Sequence, residues 1–207
     1  MNLTHTSCFL STAYMAPVSY YCCLAKFKEI CIENHETYSR QSYRNRCSIY
    51  AANGILNLSI PVNATNNTVI KEVTIEHSEN WQRQHWRSIS SAYKSSPYFI
   101  YYDYELQPFY EKPFKYLIDF NEEIQNKFLT LLNLSVHPFS SLTYDKFVEN
   151  SVDLRELIHP KKSNLFSLPQ YNQVFIEKHG FIPNLSILDL LFNQGPESKE
   201  YLLSSFI

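Results

Sequence analysis

Glycine is scarce in this chain: Gly54, Gly180 and Gly195 are the only three in 207 residues. Phosphate cradles built from backbone amides need clustered glycines, because a missing Cβ lets the chain approach the ligand closely. Three isolated glycines can form neither G-x-x-x-x-G-K-[ST] nor G-x-G-x-x-G, which excludes P-loop and dinucleotide-fold readings. An excess of one charge is missing as well. With 18 Lys and Arg against 20 Asp and Glu, the net charge is −2, so no overall field draws the protein to nucleic acid or an anionic membrane. Long apolar runs are absent, and nothing approaches the roughly 20 residues of a membrane span. The opening "MNLTHTSCFLSTAYMAPVSYYCCLAKFK" has no basic n-region and is broken by Ser, Thr and Pro17, unlike a signal peptide. The five cysteines (Cys8, Cys22, Cys23, Cys31, Cys47) are odd in number and contain no C-x-x-C. They fit neither a disulfide framework nor a zinc ribbon. The expectation is buried thiols in a reducing cytoplasm.

Aromatic residues are abundant at 15%, with 16 Tyr and 14 Phe, and hydrophobic residues reach 44%, enough for an ordinary core. "CFLSTAYM" (8–15) reads as a strand, and Pro17 opens a helix over "PVSYYCCLAKFK". "EICIENHE" (29–36) reads as a second strand. Strand, helix and strand within 30 residues predict a βαβ unit with parallel strands, placing 11–17 and 34–39 at their carboxyl ends, where ligands of open α/β sheets collect. Asn53-Gly54 predicts a hairpin inside "CSIYAANGILNLSIPV", and 69–76 reads as a further strand. Trp81, His85, Ser88, Ile89 and Ala92 line one face of a helix. A short helix follows Pro97. Asp119 and Glu122 look like a capping box before 120–132, and 151–162 reads as a short helix stopped by Pro160. A buried helix over 184–197 takes Asn184 as its cap and Gly195 beyond its end. The fold class is α/β, a βαβ start in a mixed sheet of parallel strands plus a hairpin, with a C-terminal helical layer. Residues 1–207 are expected to form one domain, 1–77 mainly sheet and 78–207 mainly helix.

The stretch "YSRQSYRNR" (38–46) carries three arginines and no carboxylate. Arg40, Arg44 and Arg46 offer planar forks for phosphate or carboxylate, and on a continuous strand their equal parity puts them on one face. Tyr38 and Tyr43 can stack on a base or sugar. The bland alternative is an exposed strand end paired with distant acids. His35 and Glu36 fall at the end of the second strand, where His35 is either a general base or a loop histidine bonded to a carbonyl. Tyr14 and Ser19 stand at the first strand's end and the following helix's start. Arg83 and Arg87 share a helix face as a clamp or a solvated pair, and His85 lies beside Trp81 as a core histidine or a site residue. His77, Glu79 and His85 have no recognised metal spacing, so neither metal nor cofactor is implied. Asp189 and Ser186 are polar residues in a buried helix, expected to tie the helical layer to the sheet.

The blocks "LSTAYMAPVSYY", "NHETYSRQSYRNRC", "NGILNLSIPV", "NWQRQHWRSISSAYKSSPYFIYYDYEL" and "GFIPNLSILDLLFNQG" occur in an order that resembles the WbqC-like protein family over essentially the whole chain. Tyr14, Pro17, Arg44, Asn45, Arg46, Trp81 and His85 match its pattern. The Gln-Pro and the Gly that more distant members carry around Tyr14 are replaced here. The resemblance implies a cytoplasmic protein of bacterial surface-polysaccharide (O-antigen type) or related biosynthesis. Joined to the residues above, the expectation is group transfer from a phosphate-bearing small molecule, a nucleotide-linked sugar or an activated acyl donor. Arg40, Arg44 and Arg46 would hold the anion, His35 or His85 with Glu36 would supply the base, and Tyr14, Ser19, Tyr43, Asn45, Trp81 and Arg83 would line the ligand. The competing expectation is a non-catalytic glycan-precursor-binding or scaffold protein.

Overall fold

The computed structural model describes residues 6–205 except 66, 147, 149, 164 and 165. β1 (Ser7–Ser11), α1 (Val18–Lys26) and β2 (Glu29–Glu33) form the expected βαβ unit, and β1 and β2 pair in parallel from Ser7 with Glu29 to Ser11 with Glu33. Both strands stop earlier than their apolar content suggests. Residues 13–15 turn inward instead, with Met15 in the left-handed region at φ 41°. Such a conformation costs a side chain about 1–3 kcal/mol and persists only where packing over-determines it. Met15 is 1% exposed, and its sulfur accepts the Tyr110 hydroxyl at 3.3 Å.

Then follow β3 (Arg46–Ala51) and β4 (Gly54–Ser59), paired antiparallel from Arg46 with Ser59 to Ala51 with Gly54. Gly54 alone in that turn takes positive φ, 98°, while Asn53 does not. The hairpin therefore turns at 52–53 with Gly54 as the left-handed residue that follows. It forms a sheet of its own rather than joining the parallel strands. The expected strand 69–76 is mostly a 3-10 turn (Ile70–Glu72), leaving β5 (Val62–Asn63) and β6 (Thr74–Ile75) as a second small antiparallel pair.

Helix α2 (Trp81–Tyr93) stands where its periodicity predicts, and α3 (Phe99–Leu106) is the short helix expected after Pro97. α4 (Leu117–Leu131) starts ahead of Asp119, with Tyr116 as its cap, so no capping box forms. Two strands have no sequence signature, β7 (Phe139–Ser140) and β8 (Val152–Asp153). They complete a four-stranded parallel sheet in the order β7-β2-β1-β8. The predicted helix over 151–162 is replaced by β8 and the turns after it, because Arg155 is drawn inward by the buried Glu33 carboxylate. α5 (Ile176–His179), α6 (Ile187–Gln194) and α7 (Ser198–Ser204) finish the chain. Ser186 caps α6 by accepting from Leu188 N. Asn184, expected in that role, instead accepts from the backbone N–H of Ser19 at 2.9 Å and so caps α1.

Helix α1 is buried along almost its whole length, from Val18 to Leu24, because it packs between the sheet, α6 and α7. Around fully buried Phe120 gather Tyr14, Trp81, Phe109 and Phe114, at ring-centroid distances of 4.9 to 6.4 Å. Tilted and edge-on pairs of this kind add roughly 0.5–1.5 kcal/mol each beyond area burial. Asp189 is fully buried among donors: Tyr171 and Tyr93 hydroxyls at 2.6 and 3.0 Å and the Gln173 amide at 2.7 Å. It ties α6 to α2 and to the segment before α5. No described helix is long and apolar enough to cross a membrane.

Candidate functional site

The carboxyl ends of β1 and β2 carry two buried ion pairs. Ser11 and Glu33 are partners in register and share a face of the sheet. Glu33 is fully buried, and a carboxylate there must find donors or neutralise. It finds three: its Oε1 accepts from the His35 backbone N–H at 2.8 Å and the Ser141 hydroxyl at 2.6 Å, and its Oε2 accepts from Arg155 Nη1 at 2.9 Å. Arg155 also forks onto Asp153 at 3.0 and 2.7 Å and lies over the rings of Phe9 and Tyr144. Glu33, Arg155 and Ser141 carry no signal in local sequence, since the partners are more than 100 residues apart.

The second pair is Glu36 with Arg44. The guanidinium donates Nε to Oε1 at 2.8 Å and Nη2 to Oε2 at 2.5 Å, and Nη2 also reaches Ser11 Oγ at 3.0 Å. Burial pushes the Glu36 carboxyl up, against the pull of Arg44 and Ser11. The arginines thus do not share a strand face: residues 39–45 form a turning loop, Arg44 is buried at 3% exposure, Arg40 points to solvent, and Arg46 opens β3 with Nε on Ser59 Oγ. Charge complementarity was in the sequence, but it came from Glu36, just outside the stretch that has no acid of its own.

His35 stands between the two pairs with a quarter of its side chain exposed. Its tautomer follows from proton counting at Ser141 Oγ, which has one proton and two lone pairs. The Glu33 carboxylate takes the proton, the Asn34 backbone N–H donates to one lone pair at 3.0 Å, and His35 Nδ1 lies 3.2 Å from the oxygen. Nδ1 therefore carries hydrogen and donates, which leaves Nε2 as the basic nitrogen of the neutral ring.

His85 is separated from this rim. It is 6% exposed, 3.0 Å from the Tyr14 hydroxyl, which meets the Tyr110 hydroxyl at 2.9 Å, and edge-on to Trp81. Burial drives its pKa down to about 4, with the Ser59 backbone acting the other way, so it is neutral at pH 7. Tyr14, Trp81 and His85 are thus gathered with Tyr110 and Phe120 in the aromatic core. Asn45 exchanges hydrogen bonds with Ile60, its Nδ2 donating at 2.8 Å. Arg83 is exposed on α2. The N–H groups of Val18 and Ser19 that open α1 are taken by Leu185 O and Asn184.

Two clefts open on the rim. The deeper is lined by Ser11, Thr12, Tyr43, Arg44, Arg155 and Ile158. Tyr43 is also a wall of a wider, more open groove, where Arg46, Lys161 and Lys162 meet Ser48 and Asn57, with no carboxylate in the lining. Among the described residues none of the groove's cations is in an ion pair, and two of them, Lys161 and Lys162, come from a segment far along the chain from the arginine-rich stretch. Among the described residues, no group of three or more His, Cys, Asp or Glu is placed to hold a metal ion.

No curated protein and no solved structure matches the chain. A family model does, over residues 12–162 and 142–201. The chain belongs to the WbqC-like protein family.

Proposed function

We propose that the protein is a group-transfer enzyme of surface-polysaccharide (O-antigen type) or related biosynthesis, taking its donor from a phosphate-bearing small molecule such as a nucleotide-linked sugar or an activated acyl donor. The observation that carries this reading is the groove in which Arg46, Lys161 and Lys162 face a common space without a carboxylate. An anionic ligand is what such a lining lacks. Tyr43 connects that groove to the deeper cleft between the two buried ion pairs. In the reaction, His35 Nε2 takes the proton of an acceptor hydroxyl as its oxygen bonds to the donor carbon. The bond from that carbon to the leaving group breaks with its electron pair, and the departing anion rests against Arg46, Lys161 and Lys162. Positioning and general-base help carry the step, with no covalent enzyme intermediate. Arg44 acts from the floor, holding Glu36 and the loop that presents Tyr43.

The test is a thermal-shift titration with pyrophosphate, nucleoside diphosphates, their sugar conjugates and coenzyme A thioesters. Saturation at 100 times Kd adds about 2.7 kcal/mol, a rise of roughly 5–10 °C for a chain of this size. The Lys161→Ala/Lys162→Ala variant, changed only at exposed side chains, should lose most of that rise. No response to any probe, or an unchanged response in the variant, overturns the reading. One observation favours the non-catalytic alternative: Ile100, Tyr101 and Tyr104 expose an apolar face on α3. A binding or scaffold protein would keep its ligand response and show no turnover that depends on His35.

A further inference from the structure

On the opposite side of the sheet rim, between β2, β7 and α4, lies a separate cleft. Its chemistry differs from that of the groove. Its polar wall is made of Asn34, Gln125, Asn126, Glu122 and Thr12, with no cation, and Phe139 stands at its edge. Several of these groups have unused hydrogen-bonding capacity. Asn34 Oδ1 is buried without a partner, which costs roughly 1–3 kcal/mol unless a ligand or water fills it. Gln125 is 7% exposed; its Oε1 takes the Tyr20 hydroxyl at 3.1 Å, and its amide nitrogen makes no hydrogen bond to the described protein. Thr12 Oγ1 accepts from Asn121 Nδ2 at 3.2 Å, which leaves its own proton to donate. Phe139 is 55% exposed although it belongs to a paired strand, so a rigid ring face is open at the cleft mouth.

Carboxamides that both donate and accept, one carboxylate, a spare hydroxyl and an open aromatic face suit a neutral polyhydroxylated ring: the polar groups take its hydroxyls, and the ring takes its C–H face. They do not suit an anion, which would meet Glu122 uncompensated. We infer that this cleft is the acceptor-sugar subsite, binding a neutral or amino hexopyranoside, and this inference rests on the group-transfer reading above. Connectivity supports the pairing of the two sites. Thr12 lines both this cleft and the deeper one between the two buried ion pairs. The consecutive residues Asn34, His35 and Glu36 serve, in turn, the acceptor cleft, the proton-accepting imidazole and the ion pair beneath the deeper cleft, which shares Tyr43 with the donor groove. An acceptor hydroxyl presented past Thr12 has the His35 base on the neighbouring strand end.

Saturation-transfer NMR on the full chain with methyl hexopyranosides, their 2-acetamido and 2-amino counterparts tests it. At least one glycoside at millimolar concentration should show ring-proton enhancements, strongest on a single C–H face. Phe139→Ala, at an exposed side chain, and Glu122→Gln should each cut them at least five-fold, whereas Lys161→Ala/Lys162→Ala should leave them unchanged. No enhancement from any glycoside, or full enhancement in Phe139→Ala, overturns the inference. Loss of enhancement in the lysine variant alone assigns the sugar to the donor groove, which overturns the acceptor subsite and leaves the group-transfer reading standing. Retained sugar binding with no response to pyrophosphate or any donor sinks that reading while the subsite itself stands as a sugar site.

Discussion

Replacing Arg44 with alanine removes a guanidinium that is 4% exposed from a carboxylate that is 7% exposed. Three hydrogen bonds go with it, two to Glu36 and one to Ser11, and Glu36 keeps only the Ser11 hydroxyl at 3.1 Å. Breaking a buried pair from one side costs about 3–5 kcal/mol, because the surviving charge stays out of water. That is a large part of the 5–15 kcal/mol that holds an ordinary domain together. The double variant Glu36→Leu/Arg44→Met removes both charges and fills the space, so it should recover about half of the loss, a coupling of roughly 2–3 kcal/mol. Acid should relieve the penalty of the single variant. Burial already raises the Glu36 carboxyl, and without Arg44 it rises further. The folded state then holds a proton that the unfolded chain has released, so stability falls as pH climbs above the usual carboxylate range. The penalty of Arg44→Ala should therefore be smaller at pH 5 than at pH 7.5. Urea unfolding followed by the fluorescence of Trp81 and Trp86 measures both effects. A cost under about 1 kcal/mol, independent of pH and additive with a Glu36 substitution, would show that Arg44 is a free anion clamp rather than half of an internal pair.

Two further predictions concern the core. Burial lowers His85 from 6.5 to about 4 and raises Asp189 from 3.8 to about 6, each worth of order 3 kcal/mol of pH-dependent stability with opposite signs. Between pH 4 and 6.5 the unfolded chain binds the extra proton at His85, so stability rises with pH; at Asp189 the folded state binds it, so stability falls. Relative to wild type, His85→Gln should lose stability as pH rises through that window and Asp189→Asn should gain it, and denaturation curves that stay parallel to wild type in both would contradict the burial argument. Gly195 ends α6 at φ 53°, and a Cβ there would clash with three atoms of the Tyr98 ring, so Gly195→Ala should cost about 2–4 kcal/mol; an unchanged urea midpoint would mean that the ring moves freely aside.

What could be read in advance was whatever local chemistry decides. Pro17 before α1, the Asn53-Gly54 turn and the apolar stripe of α2 each act within a few residues, and each element formed where its residues demanded. β7 and β8 could not be read, because two-residue strands have no period; they exist because the rim of a parallel sheet offers unpaired backbone to whatever passes. Asn184 shows the same limit at a single residue. Its sequence context fits a cap for the following helix, yet its side chain satisfies α1, 165 residues earlier. The arginine-rich stretch misled for a related reason. "No carboxylate nearby" is a statement about chain distance, whereas Coulomb energy depends on distance in space, and Glu36 and Glu156 both come within 4 Å of Arg44.

The rim therefore divides its charges by burial, and the division has a consequence for function. Arg44 and Arg155 are each bound to internal carboxylates with both forks engaged, so they cannot turn toward a ligand without leaving Glu36, Glu33 or Asp153 unpaired. Their effect is to fasten the 39–45 loop and the segment around β8 to the ends of β1 and β2, giving the clefts a floor that does not rearrange. Arg46, Lys161 and Lys162 have no such obligation to a carboxylate at the groove. Ligand attraction belongs to these outer side chains and should weaken with added salt, because exposed charges are screened and buried pairs much less so. Stability and anion binding are thus carried by different cations of one rim, and a substitution in either set can be made without the other losing its role.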